Sequence, residues 1–452
     1  MTNKKNKKSS AKKALKKLPQ TVLSRSARLG WLSTKLIAKN VKNRLQSAVS
    51  IVSEQALLKS QSKMAEDLVS TLSNMKGAAM KAGQMLALDL GDMIPAEVRT
   101  ILYRLSDDST FLEYAKIEKI LKRSLGSDRF EQLSDISLEP IAAASIGQVH
   151  TGMYQGEKVA IKVQYPGVAG SIDADMFALE NLIRGYLVVT RKKLDISPFF
   201  SVAKQKLKQE ADYRREANSL NQAREYFSAY ENFRVPIAHL ELCTPKVLVM
   251  SFEEGLPLKN CMEIKESPKL ARLLLELLFL EYFEFGHVQT DPNLGNFFFD
   301  PDAGQLVLLD MGSIQKFGVS HRVNVRDMLK ASLDQDSELV LQKAGTLNLV
   351  SDKESDEVKE RFVEIVGIVA QMFAEDKQPF DFGSAAFLRE TRTKITALVR
   401  DIRYTSPAKK FSFLNRKLGG IYHVLRTLEH KHDMREFWQL IERFAQASGN
   451  RS

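Results

Sequence analysis

Three short stretches of this 452-residue chain carry side chains whose types and spacing suit phosphoryl transfer. The first is Val159-Ala160-Ile161-Lys162. A lysine on a strand, with its ammonium aimed into a cleft, can hold α- and β-phosphates as a point charge. The second is Asp291-Pro292-Asn293-Leu294-Gly295-Asn296, which sets an Asp and an Asn 296 − 291 = 5 positions apart. Kinase catalytic loops use that spacing, with the Asp orienting the acceptor and the Asn binding Mg²⁺. The third is Asp310-Met311-Gly312, which follows the apolar run Leu306–Leu309 and lies 310 − 291 = 19 residues after Asp291. A carboxylate at the end of a buried strand, followed by glycine, is how a metal-binding Asp-Phe-Gly is built. Each stretch alone has a plainer reading, an exposed strand lysine or an Asx-turn loop. Their order and conjunction are far more specific than any one of them. The chain also holds a literal Asp381-Phe382-Gly383, 381 − 291 = 90 residues past Asp291. It follows no strand signal and reads as a loop.

The elements that must position these residues are legible in the hydrophobic period. The pattern from about 52 to 125 is helical. Residues around Ile146, Val149, Val159, Ile161 and Val163 are β-type, and Gln155-Gly156 reads as a hairpin turn. Helical patterns return at 173–190 and 200–228. Strand-like runs follow at Val235–Leu242 and Lys246–Ser251. Residues 267–287 are helical, Leu306–Leu309 suits a buried strand, and 320–447 reads as helices with a break near 379–383. A helical segment, a small β-rich lobe and a mostly helical lobe therefore follow one another.

Composition narrows the field. Two cysteines, Cys243 and Cys261, exclude a disulfide scaffold and a Cys₄ zinc site. The net charge of +11 is a property of one end. Residues 1–53 carry fourteen Lys or Arg and no acid, so the rest holds 52 basic and 55 acidic residues, a net of −3. That weakens a nucleic-acid reading of the whole protein and leaves a cationic arm that could meet anionic lipid. The arm lacks the apolar core of a secretory signal. The most apolar run, Leu273–Phe285, is interrupted by Glu276, Glu281 and Glu284 and reads as a buried helix rather than a membrane span.

Three kinase features are missing. Ile141 to Gln148, with Ala142, Ala143, Ala144, Ser145, Ile146 and Gly147, stands where a glycine-rich phosphate loop is expected, and alanine methyls obstruct close backbone approach. Gln289-Thr290 replace His-Arg before Asp291, and no Ala-Pro-Glu follows Asp310. With these departures the chain resembles the UbiB/ADCK (AarF-like) atypical kinase-like family of the coenzyme-Q-biosynthesis type. The resemblance rests on A-A-A-S-I-G-Q-V-H at 142–150, Gln164 to Val168, the Asp291–Asn296 loop, Lys81-Ala82-Gly83-Gln84, and Glu210 to Ala217. Arg416 to Gly420 resembles a late family patch. Together these cover roughly residues 60–440.

The resemblance implies an α+β, bilobal atypical protein-kinase-like fold. Residues 1–50 would be a basic arm, partly disordered or amphipathic. Residues 51–130 would be a helical extension carrying K-x-G-Q. Residues 131–252 would form the kinase-like N-lobe with a helical insert, and 253–447 the C-lobe. Lys162 would bind phosphates and pair with Glu216, 216 − 162 = 54 residues on. Asp291 would be the catalytic-loop Asp, with Asn296 and Asp310 holding Mg²⁺ of Mg-ATP or Mg-ADP. Ala142–Gly147 would be the Ala-rich phosphate loop. Lys81, Gly83 and Gln84 would lie over the active site and meet Glu210 and Asp212. A helix over the peptide-binding place disfavours a true protein kinase.

The expected function is a Mg-nucleotide-dependent ATPase, or a small-molecule or lipid kinase. It would support ubiquinone or isoprenoid-lipid biosynthesis at the membrane surface, with quinone-biosynthesis enzymes as possible partners. The alternative is a nucleotide-switched scaffold with negligible turnover. The expected location is a bacterial cytoplasm with peripheral membrane contact, or else the mitochondrial matrix.

Overall fold

The computed structural model describes residues 82–83, 85–86, 111–144, 146–189, 195–261, 268–291, 293–402, 405 and 409–449. The basic arm, most of the expected helical extension, Lys81, Gln84 and Ser145 lie outside the described residues. The chain divides into two compact units, one of residues 1–218 with 237–252 and one of 219–236 with 253–452.

In the first unit, helix α1 (Tyr114–Leu125) and the one-turn α2 (Ser127–Phe130) precede strands β1 (Leu133–Ser134), β2 (Ala142–Ala144), β3 (Gly147–Tyr154) and β4 (Glu157–Gln164). Helices α3 (Val168–Val189) and α4 (Ser197–Glu210) follow, and then α5 (Tyr213–Phe227), which belongs to the second unit from Ser219 on. Strand β5 (Phe233–Arg234) belongs to the second unit, and β6 (Val247–Ser251) returns to the first. The sheet order is β1-β3-β4-β6, with β2 paired to β3 and every neighbour antiparallel. The β3–β4 hairpin turns at Gln155-Gly156, whose φ values of 51° and 82° are both left-handed. A two-residue turn of that hand matches the twist of the strands it joins.

Alternation along β4 sorts its side chains between the faces. Val159, Ile161 and Val163 are buried in one core cluster with Ile117, Leu121 and Leu125 of α1. Each such side chain contributes about 1.5–3 kcal/mol by leaving water. Lys162 and Gln164 occupy the opposite face, where the Gln164 amide donates to the Ala211 carbonyl at 2.8 Å.

Two sequence expectations change here. The helix expected over 200–228 is broken at Ala211-Asp212, because Asp212 Oδ1 accepts the amides of Arg214 (3.1 Å) and Arg215 (3.3 Å) and starts a new helix. The strand expected across Val235–Leu242 is reduced to one antiparallel bridge, Ala238 to Met250. Pro236 has no amide for a ladder, and Leu240–Leu242 form a 3₁₀ turn.

The second unit continues with β7 (Leu256–Pro257), α6 (Leu258–Cys261) and α7 (Pro268–Phe279), prolonged by a π-helical turn, Leu280–Phe285. Then come β8 (His287–Gln289), β9 (Phe297–Asp300), β10 (Gln305–Leu308) and β11 (Ile314–Lys316). Helices α8 (Val319–Leu333), α9 (Ser337–Thr346) and α10 (Asp356–Ala370) follow. The chain goes on through β12 (Phe380–Asp381), α11 (Ala385–Asp401), α12 (Lys409–Thr427), β13 (Lys431–His432) and α13 (Arg435–Gly449). One sheet has the order β5-β10-β9-β7, and β8 with β11 and β12 with β13 make two-stranded ladders. Helix α7 buries Leu270, Leu273, Leu274, Leu277 and Leu278 and is a core helix. Among the described residues no helix is long and apolar enough to cross a membrane. The literal Asp-Phe-Gly begins on the last residue of a short strand, and its Phe382 and Gly383 form a turn. Its Phe380–Asp381 neighbourhood is strand β12, and Asp381 Oδ2 pairs with Lys431 at 3.1 Å.

Gly147 begins β3 opposite Gln164. A Cβ there would fall 2.3 Å from the Val163 carbonyl oxygen and 2.8 Å from the Tyr213 hydroxyl. Gly147→Ala should therefore cost about 1–3 kcal/mol of stability, as overpacking does. Chemical denaturation checks this, with a lower midpoint expected at unchanged slope. An unmoved midpoint would refute the tight approach.

Candidate active site

In the first unit the site is built on β4 and α5. Lys162 Nζ donates to Glu216 Oε1 at 2.7 Å and Oε2 at 3.0 Å. The two side chains are 14% and 4% exposed. Tyr213 lies one helical turn before Glu216, so both share the face of α5 turned to β4. The Lys162 ammonium stands 4.9 Å from the centroid of the Tyr213 ring. Tyr213 lies within the Glu210–Ala217 stretch, whose charged residues alone are assigned roles from the sequence. Its signal was an aromatic residue three positions before the glutamate.

The Ala142–Ala144 segment is strand β2, paired Ala142 to Val149 and Ala144 to Gly147. Ala142 and Ala143 are exposed and Ile146 is buried. The turn is held from behind by Gln148, which is fully buried. Gln148 Oε1 accepts the Leu112 amide at 2.8 Å, and Nε2 donates to the Leu112 carbonyl at 3.2 Å and to His150 Nε2 at 2.9 Å. His150 Nδ1 donates to the Ser137 carbonyl at 2.7 Å. That pattern needs a neutral imidazole, and burial lowers the His150 pKa in the same sense.

Glu210 ends α4 and is half-buried. Asp212 caps α5 and lines an open polar groove with Lys204, Lys208 and Arg215. Asp173 reaches Lys204 at 2.6 Å and Lys208 at 2.9 Å. Gly83 is helical and buried. Its neighbours Lys81 and Gln84, the expected partners of Glu210 and Asp212, fall outside the described residues.

In the second unit two ladders bracket the remaining site residues. On one side β8 pairs with β11, and Thr290 extends that ladder through its amide (2.9 Å) and hydroxyl (3.0 Å), both donating to the Ser313 carbonyl. On the other, β9 pairs with β10, and the Leu309 amide donates to the Asn296 carbonyl at 2.9 Å. Residues 291–295 and 310–312 are thus closed at both ends. Asp291 Oδ1 accepts the Asn293 amide at 3.2 Å, and Asn293 Oδ1 accepts the Gly295 amide at 3.0 Å. Asn296 Nδ2 donates to Asp291 Oδ2 at 3.2 Å, which leaves Oδ1 as the oxygen Asn296 can offer a cation. Asp310 Oδ1 accepts the Gly312 amide at 2.7 Å, and Met311 is buried. Asp291, Asn296 and Asp310 are all half-buried. The donors that Asn296 and Asp310 present are oxygens, which is the donor set Mg²⁺ takes.

A strand lysine clasped by a helix glutamate, and an Asp/Asn loop with a strand-end Asp, define a protein-kinase-like fold. Residues 104–344 match the ABC1 atypical kinase-like domain, and the chain belongs to that family. It is 33% identical over 424 residues to the rat (Rattus norvegicus) atypical kinase COQ8B, mitochondrial, across 92% of this chain and 79% of that protein. It is 28% identical over 359 residues to the Saccharomyces cerevisiae atypical kinase COQ8, mitochondrial, across 78% and 71%. Among solved structures it is similar to Rv3197 from Mycobacterium tuberculosis in complex with erythromycin. The TM-score is 0.57 at 22% identity, over 87% of this chain and 100% of that one.

The Lys162–Glu216 pair makes a stability prediction. Either single change, Lys162→Met or Glu216→Gln, removes the opposite charge from its partner in a dry setting. The double variant should be more stable than the two single losses sum to, with a coupling of at least about 1 kcal/mol. Denaturant midpoints of the four proteins measure it. Additive losses would mean that the pair carries no net interaction.

Proposed function

We propose that this chain is a Mg²⁺- and nucleotide-dependent ATPase or small-molecule kinase that supports ubiquinone or other isoprenoid-lipid biosynthesis. The observation that carries the reading is the Lys162 ammonium held by Glu216 at 2.7 Å on the sheet of the first unit. A lysine fixed this way keeps its charge and its direction, which is what a phosphate contact needs. The exposed Ala142 and Ala143 would flank the nucleotide phosphates. Asn296 and Asp310 would hold Mg²⁺, which when bound neutralises charge on the phosphate oxygens. Asp291 would orient an acceptor hydroxyl or a water and receive its proton. The amide of Asn296 on Oδ2 and that of Asn293 on Oδ1 hold this carboxylate in one orientation.

The substrate side of the proposal rests on kinship. The relatives carry the name COQ8 and are called mitochondrial. The basic arm of residues 1–53 supplies the charge for reversible contact with an anionic membrane, and such contact weakens with salt. Whether that membrane faces a bacterial cytoplasm or a mitochondrial matrix, the chemistry at Lys162, Asp291 and Asp310 is the same. The name of the relatives favours a mitochondrial location.

ATP turnover by the purified chain, with and without anionic liposomes, tests the proposal. Turnover should rise with liposomes, and Asp310→Asn should lower it at least about 100-fold. Turnover that survives Asp310→Asn unchanged refutes the metal assignment. Nucleotide binding with no turnover in either condition replaces the enzyme with a nucleotide-switched scaffold.

A further inference from the structure

One buried ion pair of the second unit takes no part in the chemistry proposed above. Glu281, on the π-helical turn, and Lys417, on α12, lie 3.0 Å apart with 2% and 3% of their side chains exposed. Drying two charges is costly, and apolar residues of the same volume would fill the space at no such cost. Stability alone gives no reason for the pair.

What the pair touches does give a reason. Burial pushes the Glu281 carboxyl up, while Lys417 and the Gln289 backbone amide act on it in the opposite direction. Gln289 lies two residues before Asp291. The Lys417 ammonium stands 5.0 Å from the centroid of the Phe297 ring, and Phe297 directly follows Asn296. Lys417 also lines the same narrow apolar cleft as Asp291 and Leu294. One pair therefore reaches both ends of the 290–296 loop. Both contacts are directional, a backbone amide turned to a carboxyl oxygen and a cation over a ring face, and apolar packing would not be.

We propose that the Glu281–Lys417 pair is a positioning device for the Asp291 loop. It holds the anchors Gln289 and Phe297 against α12, so that Asp291 and Asn296 keep their mutual placement. What the loop does chemically rests on the function proposed above, but the bracing itself does not.

The test uses the full chain and two variants. Glu281→Gln/Lys417→Met removes both charges and nearly preserves volume, so it avoids the stranded carboxylate that Lys417→Met alone would leave. Hydrogen exchange without nucleotide should be at least about tenfold faster across 289–297, with α8 and α10 within about twofold of the parent. In ATP hydrolysis kcat should fall at least about tenfold, with KM for ATP within about twofold. A folded double variant whose 289–297 amides exchange like the parent's overturns the proposal. A parent with no turnover sinks the functional reading instead, and exchange alone then decides the brace. Phe297→Leu keeps both charges buried and paired. It should speed exchange at 293–297 only, and it settles the matter if the double variant does not fold. No change there overturns the proposal.

Discussion

The arrangement in the first unit depends on one dry ion pair. An ammonium that is 14% exposed, facing a carboxylate that is 4% exposed, has lost most of its water. Removing one partner of such a pair costs about 3–5 kcal/mol, more than any single apolar contact around it returns. The strand and the helix must therefore present Lys162 and Glu216 to each other, and the neighbouring interactions do so. Alternation on β4 turns Val159, Ile161 and Val163 into the core under α1, which leaves Lys162 on the other face. Gln164 fastens that face to Ala211, and Asp212 starts α5 at the point that brings Tyr213 and Glu216 onto Lys162. The apolar core and the ion pair are two consequences of one strand's alternation.

The second unit solves a different problem, which is to hold three polar side chains on irregular backbone. Loops wander unless their ends are fixed and their amides satisfied. Here the ends are fixed by two antiparallel ladders, through Thr290 with Ser313 and through Asn296 with Leu309. Inside, Asp291, Asn293 and Asp310 each accept a backbone amide two residues ahead. Those turns make the carboxylates part of the backbone hydrogen-bonding, so their directions are set by the fold. The literal Asp381-Phe382-Gly383 has the same turn, with the Gly383 amide on Asp381 Oδ1 at 2.8 Å. It differs in what surrounds it: Asp381 lies on the β12–β13 ladder, whereas Asp310 follows β10, which is paired with the strand that follows Asn296. The local turn is generic, and its setting distinguishes the two copies.

Much of this was legible in the sequence because it rests on local rules. Strand alternation found β4, and Gln155-Gly156 marked its hairpin. The apolar run before Asp310 gave β10. Helices α3 and α4 occupy the 54-residue interval between Lys162 and Glu216. The reading failed where a distant residue decides the local outcome. Two Asp212 hydrogen bonds split the helix expected over 200–228. A pairing with Lys431-His432 made a strand of Phe380–Asp381. The Glu281–Lys417 pair is the clearest case. Glu281 interrupts an apolar run and Lys417 precedes two glycines, yet nothing within 100 residues of either points to the other. Long-range ion pairs leave no period and no spacing to read. The Gln148 clamp on Leu112 was hidden for the same reason.

The central claim is that Asp310 and Asn296 supply a metal-dependent share of nucleotide binding. Calorimetric titration of ATP into the full chain, in Mg²⁺ and then in a chelator, tests it without needing turnover. With Asn296 and Asp310 holding the ion, Mg²⁺ should tighten binding at least about tenfold by neutralising phosphate charge, and Asp310→Asn should erase the gain. Equal affinity with and without the metal would contradict it.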